Sequence, residues 1–206
     1  MDVVLLGFDG GGYVDSVALM ALRNGSCTFL FLPENLMDAS EQPLSRHRTC
    51  RGAITSLESV LPLDLDHDLY FNTDSIGDCV EALGGISVAG IPMDGAAAQA
   101  YGNDHGEDSL IRLSRLQELT QGATMAVKQI SLFRLGELKQ ALLSSGGGSL
   151  TREEYLALYL ALRPLKEGDI HARLLPVDSI TQGEIRCYRM DAAQTEIILK
   201  NYYRFS

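Results

Sequence analysis

Two apolar, β-prone runs, Ser16 to Leu22 and Cys27 to Leu32, meet across Asn24-Gly25. Asn-Gly is the turn in which both central residues take positive φ at least cost, so this pair dictates a β-hairpin. An earlier apolar run, Val3 to Leu6, ends in Gly7-Phe8-Asp9 and then Gly10-Gly11-Gly12. A glycine cluster after a strand invites a dinucleotide-binding reading. That reading needs a helix N-terminus to receive the phosphate, whereas here a hairpin follows. The cluster therefore reads as a turn.

Further along, the spacing changes to that of helices. Ala53, Ile54, Leu57, Val60 and Leu61 form one apolar stripe, ended by Pro62; Ile76, Cys79, Val80 and Leu83 form another, closed by Gly84-Gly85. Leu69 to Phe71 and Ile86 to Ile91 read as strands, and a small-residue loop follows. Leu110 to Leu119 and Met125 to Leu143 read as helices, and Thr151 with Glu154 marks a capping box before Tyr155 to Leu162. Ile170 to Leu175 and Glu184 to Met190 read as strands, and Asp191 with Gln194 opens a last helix towards Tyr202. Strands alternating with helices around an early hairpin predict a three-layer α/β/α fold with a central mixed sheet. No Pro- or Ser-rich linker divides the 206 residues, which read as a single domain, 1–206.

The formal net charge of −10 argues against nucleic acid as a partner, because phosphate backbones select for surplus Lys and Arg. It leaves room for an anionic ligand in a locally basic cleft. Cys27, Cys50, Cys79 and Cys187 are scattered without zinc-ligand spacing, and the redox compartment stays open. No run of 18 apolar residues occurs. Met1 leads within two residues into a strand, so the sequence reads as a piece of a longer chain.

Asp9 and Asp15 flank the glycine loop at the ends of two adjacent strands. Hard oxygen donors at a strand's carboxyl end suit Mg²⁺ bridged to a phosphate. Two aspartates beside glycines equally make turns and caps. Leu65-Asp66-His67, Asp74 and Val80-Glu81-Ala82-Leu83-Gly84-Gly85-Ile86-Ser87-Val88 supply a strand, a helix and a glycine stop before the next strand.

These segments resemble, in order and over nearly the whole chain, the LytR–CpsA–Psr family of bacterial cell-envelope proteins. Gly7-Phe8-Asp9, Asp15-Ser16, the Val80 to Val88 block, and Arg112, Arg115 and Gln117 match the family's motifs. Asp108 is one residue out of register. Three family arginines are replaced by Gly11, Tyr13 and Glu34, and a further arginine pair falls on Asn103 and His105 or is missing; His105 alone reads as a surface loop residue. Arg46, Arg48 and Arg51, clustered after the hairpin, could rebuild an arginine set.

The resemblance implies an extracytoplasmic protein of the cell envelope, membrane-anchored in its full-length form. Its implied reaction moves a polyprenyl-diphosphate-linked anionic glycopolymer, such as teichoic acid or capsule, onto peptidoglycan. In that frame Asp9, Asp15 and Arg112 are catalytic, and Asp9 and Asp15 are the ligands of a weakly held Mg²⁺. Arg112, Arg115, Gln117 and Asp108 bind substrate. The stripes Val127, Ile130, Leu135, Leu138, Leu142 and Ile76, Val80, Leu83 line an apolar tunnel for the prenyl chain. The substituted arginines imply the alternative of a member that binds prenyl lipid, glycopolymer or a partner protein without catalysis.

Overall fold

A computed structural model describes residues 1–63, 65, 67–103, 109–144 and 146–203. Asp66, His105 and Asp108, named above, lie outside them. The strands are β1 (Asp2–Phe8), β2 (Val14–Arg23), β3 (Ser26–Leu32), β4 (His67–Asn72), β5 (Ile86–Val88), β6 (Ile91–Met93), β7 (Gly147–Gly148), β8 (Ile170–Leu174), β9 (Val177–Gln182) and β10 (Ile185–Met190). The helices are α1 (Cys50–Glu58), α2 (Ile76–Leu83), α3 (Gly95–Asn103), α4 (Ser109–Val127), α5 (Leu132–Ser144), α6 (Arg152–Leu162) and α7 (Ala192–Tyr202).

Six strands form the central sheet in the order β7-β4-β1-β2-β3-β8. β1, β2 and β3 run antiparallel to their neighbours in sequence, while β4 lies parallel to β1 and β8 parallel to β3. The sheet is therefore mixed. Asn24 and Gly25 take φ of 50° and 73°, the primed turn whose twist matches the strands it joins.

Successive side chains of the central strands enter opposite layers, as the pleat requires. Val3, Ala18, Met20, Phe29 and Phe31 pack beneath α2 to α6, against Val80, Ala98, Leu113, Leu116, Leu138 and Tyr159. Val4, Leu6, Leu19, Leu30 and Leu32 pack against Leu57 of α1, Leu199 of α7 and Tyr203. Full burial of each such leucine contributes about 1.5–3 kcal/mol.

Local chemistry sets the element ends. The Thr49 side chain accepts a hydrogen bond from the Gly52 N–H at the start of α1. Gly84, at φ 84°, ends α2 in the left-handed cap that a glycine makes inexpensive. Thr151 and Glu154 complete the capping box of α6, and Asp191 caps α7.

Several expectations need correction. The small-residue segment after β6 is the helix α3: Ala98 is buried, and a side chain at Gly102 would press on Leu119. Ile86 to Ile91 is a hairpin, turned at Ala89 and Gly90 with φ of 49° and 83°. The expected Met125–Leu143 helix is the end of α4 and then α5, separated at residues 128–131. β9 pairs with β10 in a ribbon separate from the main sheet. The stripes expected to line a tunnel are built into the packed layer under α2 to α6. Of them, Leu135 alone borders the cleft between α5 and α6.

Candidate functional site

β1 and β4 run parallel side by side, and the loops leaving their carboxyl ends, Asp9–Tyr13 and Thr73–Ser75, meet above the sheet. Open α/β sheets place ligands at such strand ends. The β1–β2 register shifts here: Gly7 pairs with Ser16 and Phe8 with Val14, so Asp15 is the extra residue of a bulge. A bulge re-aims a side chain that the ladder would otherwise fix. Asp15 turns to meet Thr73 at the end of β4 and Arg112 near the start of α4.

Arg112 is 4% exposed. Its Nη2 donates to Asp15 Oδ2 at 2.5 Å, its Nη1 to the Asp15 carbonyl at 2.7 Å, and its Nε to the Gly102 carbonyl at 3.3 Å. The Thr73 hydroxyl lies 3.0 Å from the same Asp15 oxygen. Gly7 beneath it has no room for a side chain, because an added Cβ would sit 2.1 Å from Ser16 Oγ and 2.6 Å from Thr73 Cγ2. Gln99 of α3 holds the β4–α2 junction, accepting from the Gly77 N–H and donating to the Thr73 carbonyl. Asn103 donates to Asp74, while its own buried Oδ1 has no hydrogen-bond partner among the described residues.

Asp9 does different work. Its Oδ1 accepts from the Gly11 and Tyr13 N–H groups, both at 2.8 Å, and so shapes the glycine loop. Beside it opens a cleft of about 530 Å³, lined by Asp9, Gly10, Gly12, Arg48, Cys50 and Asn72, among others. Arg48 stacks 3.9 Å above the Tyr13 ring centroid and also donates to the Tyr13 hydroxyl. Of the three arginines after the hairpin, Arg48 is the one lining this cleft; Arg46 donates to Gln42 and Arg51 is exposed on α1. Cys50 donates to Asp68, and burial first, then Asp68, pushes its thiol up to about 12.

The structure thus unites Asp15 with Arg112 and sets Asp9 on the neighbouring loop. Arg115 faces the Tyr101 ring, 5.7 Å from its centroid, and Gln117 is half-buried on α4; neither lines the cleft. Thr73 and Gln99 carried no signal in sequence, since nothing local marks a threonine or glutamine as the partner of a distant strand. Each of Asp9 and Asp15 keeps one carboxylate oxygen without a hydrogen bond among the described residues. No cluster of three or more His, Cys, Asp or Glu able to hold a metal occurs among those residues. The donor set fits Mg²⁺ only as one or two carboxylates completed by phosphate oxygens and water.

No protein-family model matches the sequence, and no curated protein does. Solved structures do match. Bacillus subtilis TagV, 14% identical, aligns over 98% of this chain and 94% of its own with a TM-score of 0.81. A LytR-Csp2A-Psr enzyme from Actinomyces oris, 15% identical, aligns over 98% and 90% with a TM-score of 0.79. The fold is that of the LytR–CpsA–Psr proteins. TagT bound to LIIa-WTA shares it as well, at 16% identity over 98% of this chain and 88% of that one, with a TM-score of 0.81. Within this LytR–CpsA–Psr fold, no helix among the described residues is long and apolar enough to cross a membrane.

Proposed function

We propose that the chain is a LytR–CpsA–Psr protein of the bacterial cell envelope, extracytoplasmic and anchored in its full-length form. It binds a polyprenyl-diphosphate-linked anionic glycopolymer at the carboxyl ends of β1 and β4 and transfers it to peptidoglycan. The observation that carries this reading is the fold shared with TagT bound to LIIa-WTA, over 98% of the chain.

In the transfer, an acceptor hydroxyl attacks the phosphorus that bears the glycopolymer. The bond to the bridging oxygen breaks, and polyprenyl phosphate leaves. The attacking hydroxyl's proton passes to solvent water. Charge on the diphosphate must be neutralised for this displacement. Arg48, lining the cleft, is the guanidinium in position to do so. Asp15 and Arg112 hold the strand ends beside the cleft, which neither Arg115 nor Gln117 lines. Mg²⁺, when bound with its diphosphate by Asp9 and Asp15, would supply further charge neutralisation.

A second reading, binding without transfer, is favoured by Arg112. All three of its nitrogens are engaged and it is 4% exposed, so it reaches a diphosphate only by leaving Asp15. Calorimetry with a soluble prenyl diphosphate and Mg²⁺ tests both readings, because both require binding that Asp9→Ala and Arg48→Ala weaken. Absence of binding by the parent protein rejects both. Release of prenyl phosphate from a short lipid-linked glycopolymer in the presence of peptidoglycan then separates transfer from binding alone.

A further inference from the structure

Arg48 is an exposed arginine that no carboxylate holds among the described residues; its hydrogen bond there runs from Nη2 to the Tyr13 hydroxyl. An exposed arginine normally samples many rotamers, and fixing it on a ligand costs that freedom. Here the guanidinium carbon already sits 3.9 Å above the centre of the Tyr13 ring. Its Nε and Nη1 have no partner among the described residues, so donors remain for an anion in the cleft that Arg48 lines.

Both halves of this stack are fixed to the scaffold. The Tyr13 N–H donates to Asp9 Oδ1 at 2.8 Å, and the Tyr13 carbonyl accepts from the Asp9 N–H at 2.9 Å. A Cβ on Gly11 would lie 3.3 Å from the ring's Cδ2, so the loop passes close to the ring with no side chain in the way. On the other half, the Val14 N–H donates to the His47 carbonyl at 3.0 Å. That bond ties the residue after Tyr13 to the residue before Arg48. The His47 imidazole in turn meets the buried Ser56 hydroxyl at 3.0 Å, and Ser56 donates to Asp38. The backbone that carries Arg48 is thus set from inside the protein, and the ring sets the side chain.

We infer that Tyr13 is a positioning residue for Arg48: its ring holds the guanidinium beside the strand-end cleft, ready for the diphosphate. The assignment rests on the diphosphate reading of that cleft. An aromatic face attracts a cation without neutralising it as a carboxylate would, so the full positive charge stays available to phosphate. When ligand arrives, Nη2 can turn from the Tyr13 hydroxyl to a phosphate oxygen while the flat face of the guanidinium stays on the ring. The ring, rather than the hydroxyl, is therefore the part that matters.

The test combines NMR of the ligand-free chain with calorimetry using a soluble prenyl diphosphate and Mg²⁺. In the free parent, the ring current of Tyr13 should move the Arg48 side-chain protons upfield, and Tyr13→Leu should return them to ordinary positions. Tyr13→Leu should weaken binding about threefold to fivefold, the worth of one exposed cation–π contact. Tyr13→Phe keeps the ring and should bind within about twofold of the parent. In an Arg48→Ala background, itself at least about tenfold weaker, Tyr13→Leu should change affinity by less than about twofold. Tyr13 is 38% exposed and its bonds to Asp9 are made by backbone, so the leucine variant folds, as unchanged thermal unfolding would verify. Equal losses in the two backgrounds would mean that Tyr13 acts through its loop, and overturn the inference. So would parent-like binding by Tyr13→Leu, binding by Tyr13→Phe as weak as by Tyr13→Leu, or unshifted Arg48 protons in the parent. Each of these leaves the diphosphate reading standing, whereas absence of binding by the parent overturns both.

Discussion

At the strand ends, a buried floor that does not line the cleft and an exposed rim that does use the same residue types to opposite ends. On the floor, Asp15 and Arg112 pair at 2.5 Å with Thr73 against them, and Arg112 is almost wholly covered. On the rim, Asp9 ties down a glycine loop while Arg48 lies on the exposed ring of Tyr13. A buried charge must be matched inside the protein, so it acts first as structure. An exposed guanidinium on an aromatic ring can exchange that contact for a ligand at modest cost. In this chain the arginine aligned with a family motif, Arg112, is buried against Asp15, and the arginine proposed to meet a diphosphate, Arg48, is a different residue.

Breaking the floor should be the largest effect. Arg112→Met strands the Asp15 carboxylate beside Thr73 and is expected to cost about 3–5 kcal/mol in urea unfolding, part of it recovered in the double variant with Asp15→Asn. A loss below about 1 kcal/mol would put Arg112 with the rim. Next, Gly7→Ala forces a methyl group into Ser16 and Thr73, an overpacking expected to cost about 1–3 kcal/mol by the same measurement. Asp9→Ala releases the Gly11 and Tyr13 N–H groups to solvent and should cost about 1 kcal/mol.

Arg48→Ala sharpens the contrast from the other side. Stability should change by less than about 0.5 kcal/mol, while affinity for prenyl diphosphate in calorimetry falls at least about tenfold. The smallest effect concerns Cys50. Its thiol is raised from 9.0 to about 12, by burial and then by Asp68, so the folded protein resists ionising it. Its contribution to stability is complete below pH 9 and is lost as pH rises towards 12. Alkylation of Cys50 at pH 8 should accordingly be slow, and Asp68→Asn should speed it. Equal rates in parent and variant would remove Asp68 from the account.

What could be read from sequence follows the range of the interaction. Asn24-Gly25, Gly84 and the Thr151–Glu154 box act within a few residues, and each stands where the chain predicts it. α3 was illegible because Gly95-Ala96-Ala97-Ala98 has no large side chains to make a stripe; its helix is fixed by close approach to α2 and α4. β9, with Asp178, Ser179 and Thr181, is too polar to read as a strand and forms by pairing with β10. At the site, Asp9, Asp15 and Arg112 were named from motif likeness. The bulge that turns Asp15 towards an arginine 97 positions away could not be read, because no local pattern encodes it.

The sheet order also sets a timetable for assembly. β1, β2 and β3 are neighbours in both sequence and space, so their meander closes over short loops, on the microsecond scale of hairpins. β8 pairs with β3 by joining Ile170 to Cys27, across most of the chain. During synthesis, then, the edge of β3, with its Phe29 and Leu30, waits unpaired until the ribosome has passed residue 170. That nascent edge is open to mispairing with another chain.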